Sequence, residues 1–485
     1  APAASFWRVA DGTRKEDFGL VSRPQSDDFT FMQITDTHIG RDDVLKQFAE
    51  GVGKLPIPIA FVVNTGDLVG GVDVVPPEKA PLQFERYLNA ATAFQPPLYN
   101  MPGNHEHVAF NTPEPDKTHP FYGKGLYRQL LGPTYYSWDW AGVHFIALDG
   151  TSLPYQEKLG EDQLAWLKAD LQFQPADKPL VIFCHQALPT LRDAGELAEL
   201  LRDRKVLGGF CGHLHATFTT QLGDVPVYHT GAMSGSWWSG PNPDGTPQGF
   251  RLVQISGGEL KTAYTNREGA YPLYVSAPSA SSVQAGQVEF EAVLVDFGRP
   301  VEVSGLFAEA QVPLQRVSRE ELWSTWKGTV DTRQAFDGDR LLRLVSRLGD
   351  ETGACEMRYL VVNGREEPYH ADASATLKMT VRGIDAPNAI LLNGEPLATI
   401  PADTPKETTL EFPIARERLG RLNRVTVRAA DHGTGKDHFG VGPVWLEYRG
   451  KRIHDLRYPS FHRQSIGGND PQQGEKDLYL CLPAK

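Results

Sequence analysis

Five short polar segments, most of them following an apolar run, constrain this chain more than any other feature. They are Asp36-Thr37-His38, Gly66-Asp67, Gly103-Asn104-His105-Glu106, Cys184-His185 and Gly212-His213-Leu214-His215. The apolar runs are Phe31 to Ile34, Ile59 to Val63, Val143 to Leu148, Leu180 to Phe183 and Val206 to Phe210. Their lengths, and their lack of strict alternation, suit strands covered on both faces. Between them, Asp43 to Val52, Pro81 to Phe94, Glu161 to Phe173 and Gly195 to Arg204 read as amphipathic helices. Strand alternating with helix implies an α/β layer structure in which loops and polar ligands gather at strand ends. Tyr135 to Trp140, then Ala141-Gly142, then Val143 to Leu148 reads as a hairpin inserted into that alternation.

The pattern changes after about Asn266. Helical periodicity becomes rare, and β-branched and aromatic runs separated by Gly, Pro and Asp take over. Gln287 to Val295 and Asp339 to Arg347 suggest strands of a sandwich. Beyond about Glu366 a third unit begins, with runs at Ala375 to Val381, Ala389 to Gly394, Thr408 to Phe412 and Asn423 to Val427. The expected division is therefore an N-terminal arm or remnant of a small β element over residues 1–28, an α/β unit over 29–266, and all-β units over 267–365 and 366–485. A chain of 485 residues has room for each of these to build its own core.

Taken singly, the polar segments carry little information. A lone histidine is usually a surface or satisfied core residue, and Gly-Asp marks many turns. Together and in order, they resemble the calcineurin-like metallophosphoesterase family. That resemblance implies a four-layer α/β/β/α sandwich followed here by two all-β sandwiches. The stretch from Trp323 through Asp337-Gly338-Asp339 to Asn363 is similar to an immunoglobulin-like module attached to such enzymes, and the last unit resembles jelly-roll carbohydrate-binding modules.

The resemblance also implies two adjacent metal ions, divalent or trivalent, with Mn, Fe and Zn all compatible with the donor set. Asp36, His38 and His215 would take one ion, Asn104, His185 and His213 the other, and Asp67 would bridge them. His105 would act on the phosphoryl group or the departing alkoxide without ligating. A metal-bridging hydroxide would attack phosphorus directly, with diesters favoured slightly over monoesters. Asp36 and His38, like His213 and His215, would project to one side if their backbones were extended. Glu106 stands where the family more often has aspartate, either orienting His105 or pointing elsewhere.

Around the mouth, Arg41, His107, His229, Trp237 and Trp238 are the candidate substrate contacts, one tryptophan lining the pocket and the other packing. Tyr122, Tyr127 and Tyr135 are weighed toward the core. The expected substrate is a phosphorylated small molecule, lipid headgroup or glycan. A formal net charge of −12 argues against general nucleic-acid binding, which needs clustered cations. No stretch approaches the roughly 20 apolar residues of a membrane span. Ala1-Pro2-Ala3-Ala4 reads as a trimmed end, which carries the expectation of an exported protein. Cys355 and Cys481 are a possible pair, whereas Cys184 and Cys211 read as buried thiols. Two rival readings remain: a glycan- or surface-binding protein whose metal domain acts on a bound phosphorylated polymer, and a dimetal hydrolase of non-phosphorus esters. Oligomeric state is open.

Overall fold

Two sheets face each other across an aromatic core, and helices cover their outer faces. The structure is a computed structural model describing residues 26–39, 42–152, 156–238, 240–268, 272–404, 407–432, 435–457, 464–468 and 474–483. The arm expected over 1–28 falls outside the described residues as far as residue 25. In the α/β unit the strands are β1 (Phe29–Ile34), β2 (Val62–Asn64), β3 (Leu98–Asn100), β4 (Tyr136–Trp140), β5 (Val143–Leu148), β6 (Thr151–Ser152), β7 (Gln156–Glu157), β8 (Leu180–Cys184), β9 (Val206–Cys211), β10 (Phe218–Leu222), β11 (Val225–His229), β12 (Gly249–Ser256) and β13 (Glu259–Asn266). The helices are α1 (Asp42–Val52), α2 (Pro81–Ala91), α3 (Gly125–Leu131), α4 (Glu161–Gln172) and α5 (Ala194–Leu201).

One sheet runs β13-β12-β1-β2-β3 and the other β10-β11-β9-β8-β5-β4. Strand alternation then builds the layers. Phe31, Phe61 and Val63 point inward against Phe145, Val181, Phe183 and Phe210 of the facing sheet. Phe31 and Phe61 stack with ring centroids 5.0 Å apart. Met32, Ile34 and Val62 point the other way, onto Leu45 of α1 and Phe84 of α2. Ile146, Ile182 and Leu148 meet Leu167 of α4 and Leu197 of α5 on the far side. This is the four-layer α/β/β/α arrangement. β4 and β5 form the expected hairpin, closed by Ala141 and Gly142 with φ of 46° and 79°, the left-handed pair that matches strand twist in a two-residue turn. The short α3 has no counterpart in the sequence reading because its seven residues span too few turns to establish a period.

β1, β2 and β3 are parallel, as are β5, β8 and β9. Asp36 and His38 follow β1, Asp67 follows β2, Asn104 follows β3, His185 follows β8 and His213 follows β9. All the polar segments thus leave the carboxyl ends of parallel strands, where a ligand crevice opens.

Beyond this unit the chain is all β. One pair of sheets, built from strands such as Gln287–Val295, Trp323–Asp331, Gly338–Leu348 and Glu351–Val361, encloses a core containing Phe290, Phe307, Leu342 and Tyr359. A second pair, including Ala375–Arg382, Leu422–Arg428 and Glu475–Cys481, encloses Leu377, Met379, Val425 and Leu480. Val295, Leu322 and Trp323 of the first pair share a continuous apolar cluster with Leu252 and Ala263 of the α/β unit. The possible Cys355–Cys481 pair does not form: all four thiols are free. Cys355 is buried in the first β core, while Cys481 Sγ accepts from the Asp339 backbone N–H at 3.2 Å.

Candidate metal centre

The polar segments are held against one another by their backbones before any side chain contributes. Asp36 N–H donates to Gly66 O at 2.9 Å, and His38 N–H donates to Asp67 O at 2.9 Å. The segments are not extended: φ is 52° at Asp36, 37° at His38, 68° at His213 and 48° at His215. The simple alternation expected of extended backbone is therefore not what brings these side chains together. Left-handed residues turn each loop back over the strand ends, a conformation tolerated only where surroundings over-determine it. Close approach also demands missing side chains. A Cβ at Gly103 would lie 2.1 Å from Asp67 Oδ1, and one at Gly212 would lie 1.9 Å from Thr35 Oγ1.

The result is a set of donor clusters. Asp36, His38 and His215 form one, Asp67, His185 and His213 another, and His38, Asp67 and His105 a third between them; within each, one donor atom per residue lies within 4.8 Å of the others. His215 Nε2 is 3.1 Å from Asp36 Oδ1, and His185 Nε2 is 3.1 Å from Asp67 Oδ2. Asp67 Oδ2 also lies 3.9 Å from His38 Nε2, so this carboxylate faces both sides. Asn104 lines the adjoining cavity, with the Gln186 amide 3.5 Å from its Oδ1.

Backbone carbonyls set the tautomers. His185 Nδ1 donates to Thr65 O at 2.9 Å and His215 Nδ1 donates to Gly235 O at 2.8 Å. Each ring then directs its Nε2 into the cluster, the nitrogen that would ligate once its proton is displaced. Asp36 Oδ1 and His185 Nε2 are buried 3.9 Å apart, and what each faces is another member of the clusters, His215 Nε2 and Asp67 Oδ2, both at 3.1 Å. Burying charged and polar groups together is costly unless they are compensated, and carboxylate oxygens and imidazole nitrogens converging on one space are all electron-pair donors that a cation would satisfy. The donor set, mixed carboxylate, imidazole and amide oxygen, fits Mn, Fe or Zn.

Electrostatics agree with that geometry. Burial works to raise the Asp36 pKa, but the neighbouring His215 and His185 hold it below the usual carboxylate range. Asp67 is likewise opposed by burial and held well down by His185. Burial opposes protonation of His185, yet Asp67 and Asp36 raise it to about 9. The ionised carboxylates draw protons onto these imidazoles, and a bound cation would take the place of those protons.

His105 stands beside the clusters. Its Nδ1 lies 3.2 Å from Asp73 Oδ1, and its backbone N–H donates to Asp67 Oδ1 at 2.9 Å. Asp73 is itself held by Asn111 Nδ2 at 2.8 Å. Burial works to lower the His105 pKa, but Asp73 and Asp67 overcome it and raise it to about 9. Asp73 went unremarked in the sequence reading; an acid six residues past Asp67, in the run Gly-Asp-Leu-Val-Gly-Gly-Val-Asp, was the available signal.

Glu106 does not orient His105. Its carboxylate turns inward and accepts from the N–H groups of Asp67 at 3.0 Å, Val69 at 3.1 Å and Gly103 at 2.5 Å, tying two polar loops together. Burial, followed by the charge of Asp67, pushes it up to about 7.

The cavity over the clusters measures about 260 Å³ and is lined by Asp67, Asn104, His105, His213, Leu214, His215, Trp237 and Pro243. Of the expected substrate contacts among the described residues, only Trp237 lines it. Trp238 instead packs, donating Nε1–H to His38 O at 3.0 Å. His107 is fully buried behind Asn104, its Nδ1 3.1 Å from Asn104 O. His229 is also buried, stacked on Phe218 at 4.1 Å with Nε2 2.8 Å from Thr220 Oγ1. Strand alternation explains this second correction: β11 turns His229 onto the β10 hairpin partner, away from the loops. Arg41 falls outside the described residues. Tyr127 is buried, as weighed, its hydroxyl donating to Asn100 O at 2.9 Å.

Residues 29–217 match the family model described as calcineurin-like phosphoesterase. A stretch of 101 residues, 19% of this chain, is 30% identical to a probable cyclic nucleotide phosphodiesterase of Rhodococcus erythropolis and spans 33% of that relative's length. Among solved structures, a putative 5′-nucleotidase from Staphylococcus aureus is 13% identical, with 49% of this chain and 53% of that one covered and a TM-score of 0.29. Vps29 from Entamoeba histolytica, in complex with zinc, is 13% identical, with 50% and 100% covered and a TM-score of 0.24.

Proposed function

Residues 29–217 are a calcineurin-like phosphoesterase domain, and on that premise we propose that the chain is a dinuclear metal-dependent phosphodiesterase. The observation that carries this reading is the pair of donor clusters meeting at Asp67, with His105 on the wall of the same cavity. Asp36, His38 and His215 would hold one ion, and Asn104, His185 and His213 the other, with Asp67 serving both. Bound there, the ions supply positive charge to phosphoryl oxygens and lower the pKa of water.

The remaining work belongs to side chains already in place. Asp73 holds His105 Nδ1, which leaves Nε2 as the nitrogen available to protonate a departing alkoxide. Glu106 and the Asp67 backbone fix the separation of the two middle loops, so that His105 keeps its place relative to Asp67. No lysine or arginine is among the described residues lining the cavity. A monoester dianion would gain from such a cation, whereas a diester carries one charge fewer; this favours diesters.

The test is hydrolysis of bis(p-nitrophenyl) phosphate and p-nitrophenyl phosphate by the chain stripped of metal and then reloaded with Mn, Fe or Zn. Carboxylate and sulfate p-nitrophenyl esters run alongside. Diester hydrolysis that vanishes on stripping and returns on reloading, with a higher kcat/KM than the monoester, is the expected result. Full activity of the stripped chain overturns the dinuclear reading. Faster turnover of the carboxylate or sulfate ester overturns the phosphoester assignment.

One observation favours a part for the β units in substrate choice. A cavity of about 530 Å³ lies where Pro241 and Pro243 of the site loop meet Leu341, Met357 and Arg358 of the first β unit and His454 and Leu456 of the second. Pro243 lines both this cavity and the metal-side one. Pockets of this size at domain junctions commonly hold small organic groups. Leu341→Trp, which enlarges a half-buried side chain on its wall, should raise KM for an extended natural diester and leave kcat for bis(p-nitrophenyl) phosphate in place. Equal KM values in the two proteins would remove the β units from substrate selection.

A further inference from the structure

Two of the large apolar side chains that remain exposed stand at the mouth of the metal-side cavity: Trp237 and Leu214, each 44% exposed. Trp237 is fixed there by its surroundings. Ser234 Oγ donates to Asp36 O at 2.7 Å, His215 Nδ1 donates to Gly235 O at 2.8 Å, and Trp238 Nε1 donates to His38 O at 3.0 Å. The loop is thereby sewn to the first and last of the polar segments. Trp237 and Trp238 have φ of 51° and 64°. Two consecutive bulky residues in the left-handed region are strained and persist only where tertiary contacts impose them.

That conformation turns the indole flat over the centre. Its ring lies 3.9 Å from the His38 ring at 26°, and edge-to-face with His105 at 4.9 Å and 83°. Stacking on His38 occupies one face, and the indole nevertheless keeps its large exposure. Leu214 and Pro243 line the same cavity and offer no hydrogen bond through their side chains. This wall therefore selects by flat apolar contact. It adjoins His105, the residue placed beside the leaving oxygen.

We propose that Trp237, flanked by Leu214 and Pro243, is a subsite for a planar aromatic ring carried on the leaving side of the phosphoester. This inference rests on the phosphodiesterase reading and narrows it to aryl or nucleoside esters over simple alkyl headgroups. Both sources present the same chemistry, a flat π-face within a few bonds of the leaving oxygen. Stacking of a ring on an aromatic side chain is worth roughly 1–3 kcal/mol by alanine substitution, enough for about tenfold in affinity.

The experiment is calorimetric binding of non-hydrolysable phosphonates to the Mn-loaded full chain. Phenylphosphonate is read against methylphosphonate, and the phosphonate analogue of adenosine 5′-phosphate against that of ribose 5-phosphate. The quantity is the ratio of Kd values within each pair, for wild type, Trp237→Ala, Trp237→Phe and Trp237→Leu. Wild type should favour the ring-bearing member by about tenfold in at least one pair, the Ala and Leu proteins should fall to near parity, and Phe should stay within about threefold of wild type. A larger ratio in the adenosine pair names a nucleobase, and a larger one in the phenyl pair names an aryl group; either supports the subsite.

Parity in both pairs for wild type overturns it, as does a ratio that survives in Trp237→Ala or Trp237→Leu. Absence of binding by all four compounds overturns it also. Because nothing is cleaved, the result is separate from the hydrolysis test: a chain that binds rings on Trp237 yet splits no diester sinks the activity and keeps the subsite.

Discussion

Buried carboxylates occur at both ends of this molecule, and their surroundings are opposite. Asp437, 1% exposed in the second β unit, accepts from Asp385 N–H at 3.4 Å, Ala386 N–H at 3.1 Å and Asn388 Nδ2 at 2.6 Å. Asp455 and Asp337 are satisfied in the same manner by backbone N–H and, for Asp455, by Arg457. Asp36 is as deeply buried, but only its Oδ2 is held by Thr35 Oγ1–H and the His213 backbone N–H; its Oδ1 faces the Nε2 atoms of His215, His38 and His185 at 3.1, 3.7 and 3.9 Å. The first group stitches turns together. The second faces a cluster of imidazole nitrogens instead of amide N–H groups, a mixed carboxylate and imidazole set of the kind that binds a cation.

Substitutions at the two ends should therefore fail differently. Asp67→Asn removes the carboxylate that faces both clusters, and kcat/KM for bis(p-nitrophenyl) phosphate should fall by about a thousandfold or more. Metal content by elemental analysis should fall with it. Next in size is His105→Ala, expected to cost about 10²–10³ in kcat with the metals retained. Asp73→Asn, acting only through His105, should cost about tenfold. A loss at Asp73 as large as that at His105, with metal also lost, would make Asp73 part of the metal scaffold and blur the contrast.

Asp437→Ala should do the reverse. Stranding three buried donors costs about 3 kcal/mol of stability by denaturant unfolding, while kcat per folded molecule holds. Lost activity in the folded protein would show that the β end reaches the centre.

The smallest effect concerns pH. Burial, followed by the charge of Arg251, pushes His229 down to about 4 from its ordinary 6.5. The unfolded chain then binds the proton first. The contribution of His229 to stability is complete above pH 6.5 and is lost as pH falls toward 4. Melting temperature followed across that window should fall less steeply in His229→Gln than in wild type. Parallel curves would place His229 among the groups without a linked role.

How much of this was legible in advance differs between backbone and side chain. Runs such as Phe31 to Ile34 and Leu180 to Phe183 marked doubly covered strands, and the helices came within a few residues of their observed ends. The order Asp36, His38, Asp67, Asn104, His185, His213, His215, with His105 beside them, pointed to the donors through the resemblance it carries, since residue type supplies donor chemistry but not its assembly. Roles that depend on direction were not legible. Glu106 stands next to His105 in the chain but clamps backbone N–H groups, while Asp73, far along the chain, holds the imidazole.

The same limit applies to the adjacent tryptophans. Composition placed two large aromatics in one loop, and nothing in their order could say which would face the cavity. Left-handed backbone at both, imposed by hydrogen bonds from Ser234, His215 and Trp238 to partners distant in sequence, turned Trp237 over His38 and Trp238 beneath it. Apolar spacing by itself determined the alternation of strand and helix, since that follows from local period, while the donor set was legible only through the resemblance that the five segments carry together. Which side chain meets which was decided only when loops from five strand ends were brought together, because a side chain's direction depends on a backbone conformation that contacts far along the chain hold in place.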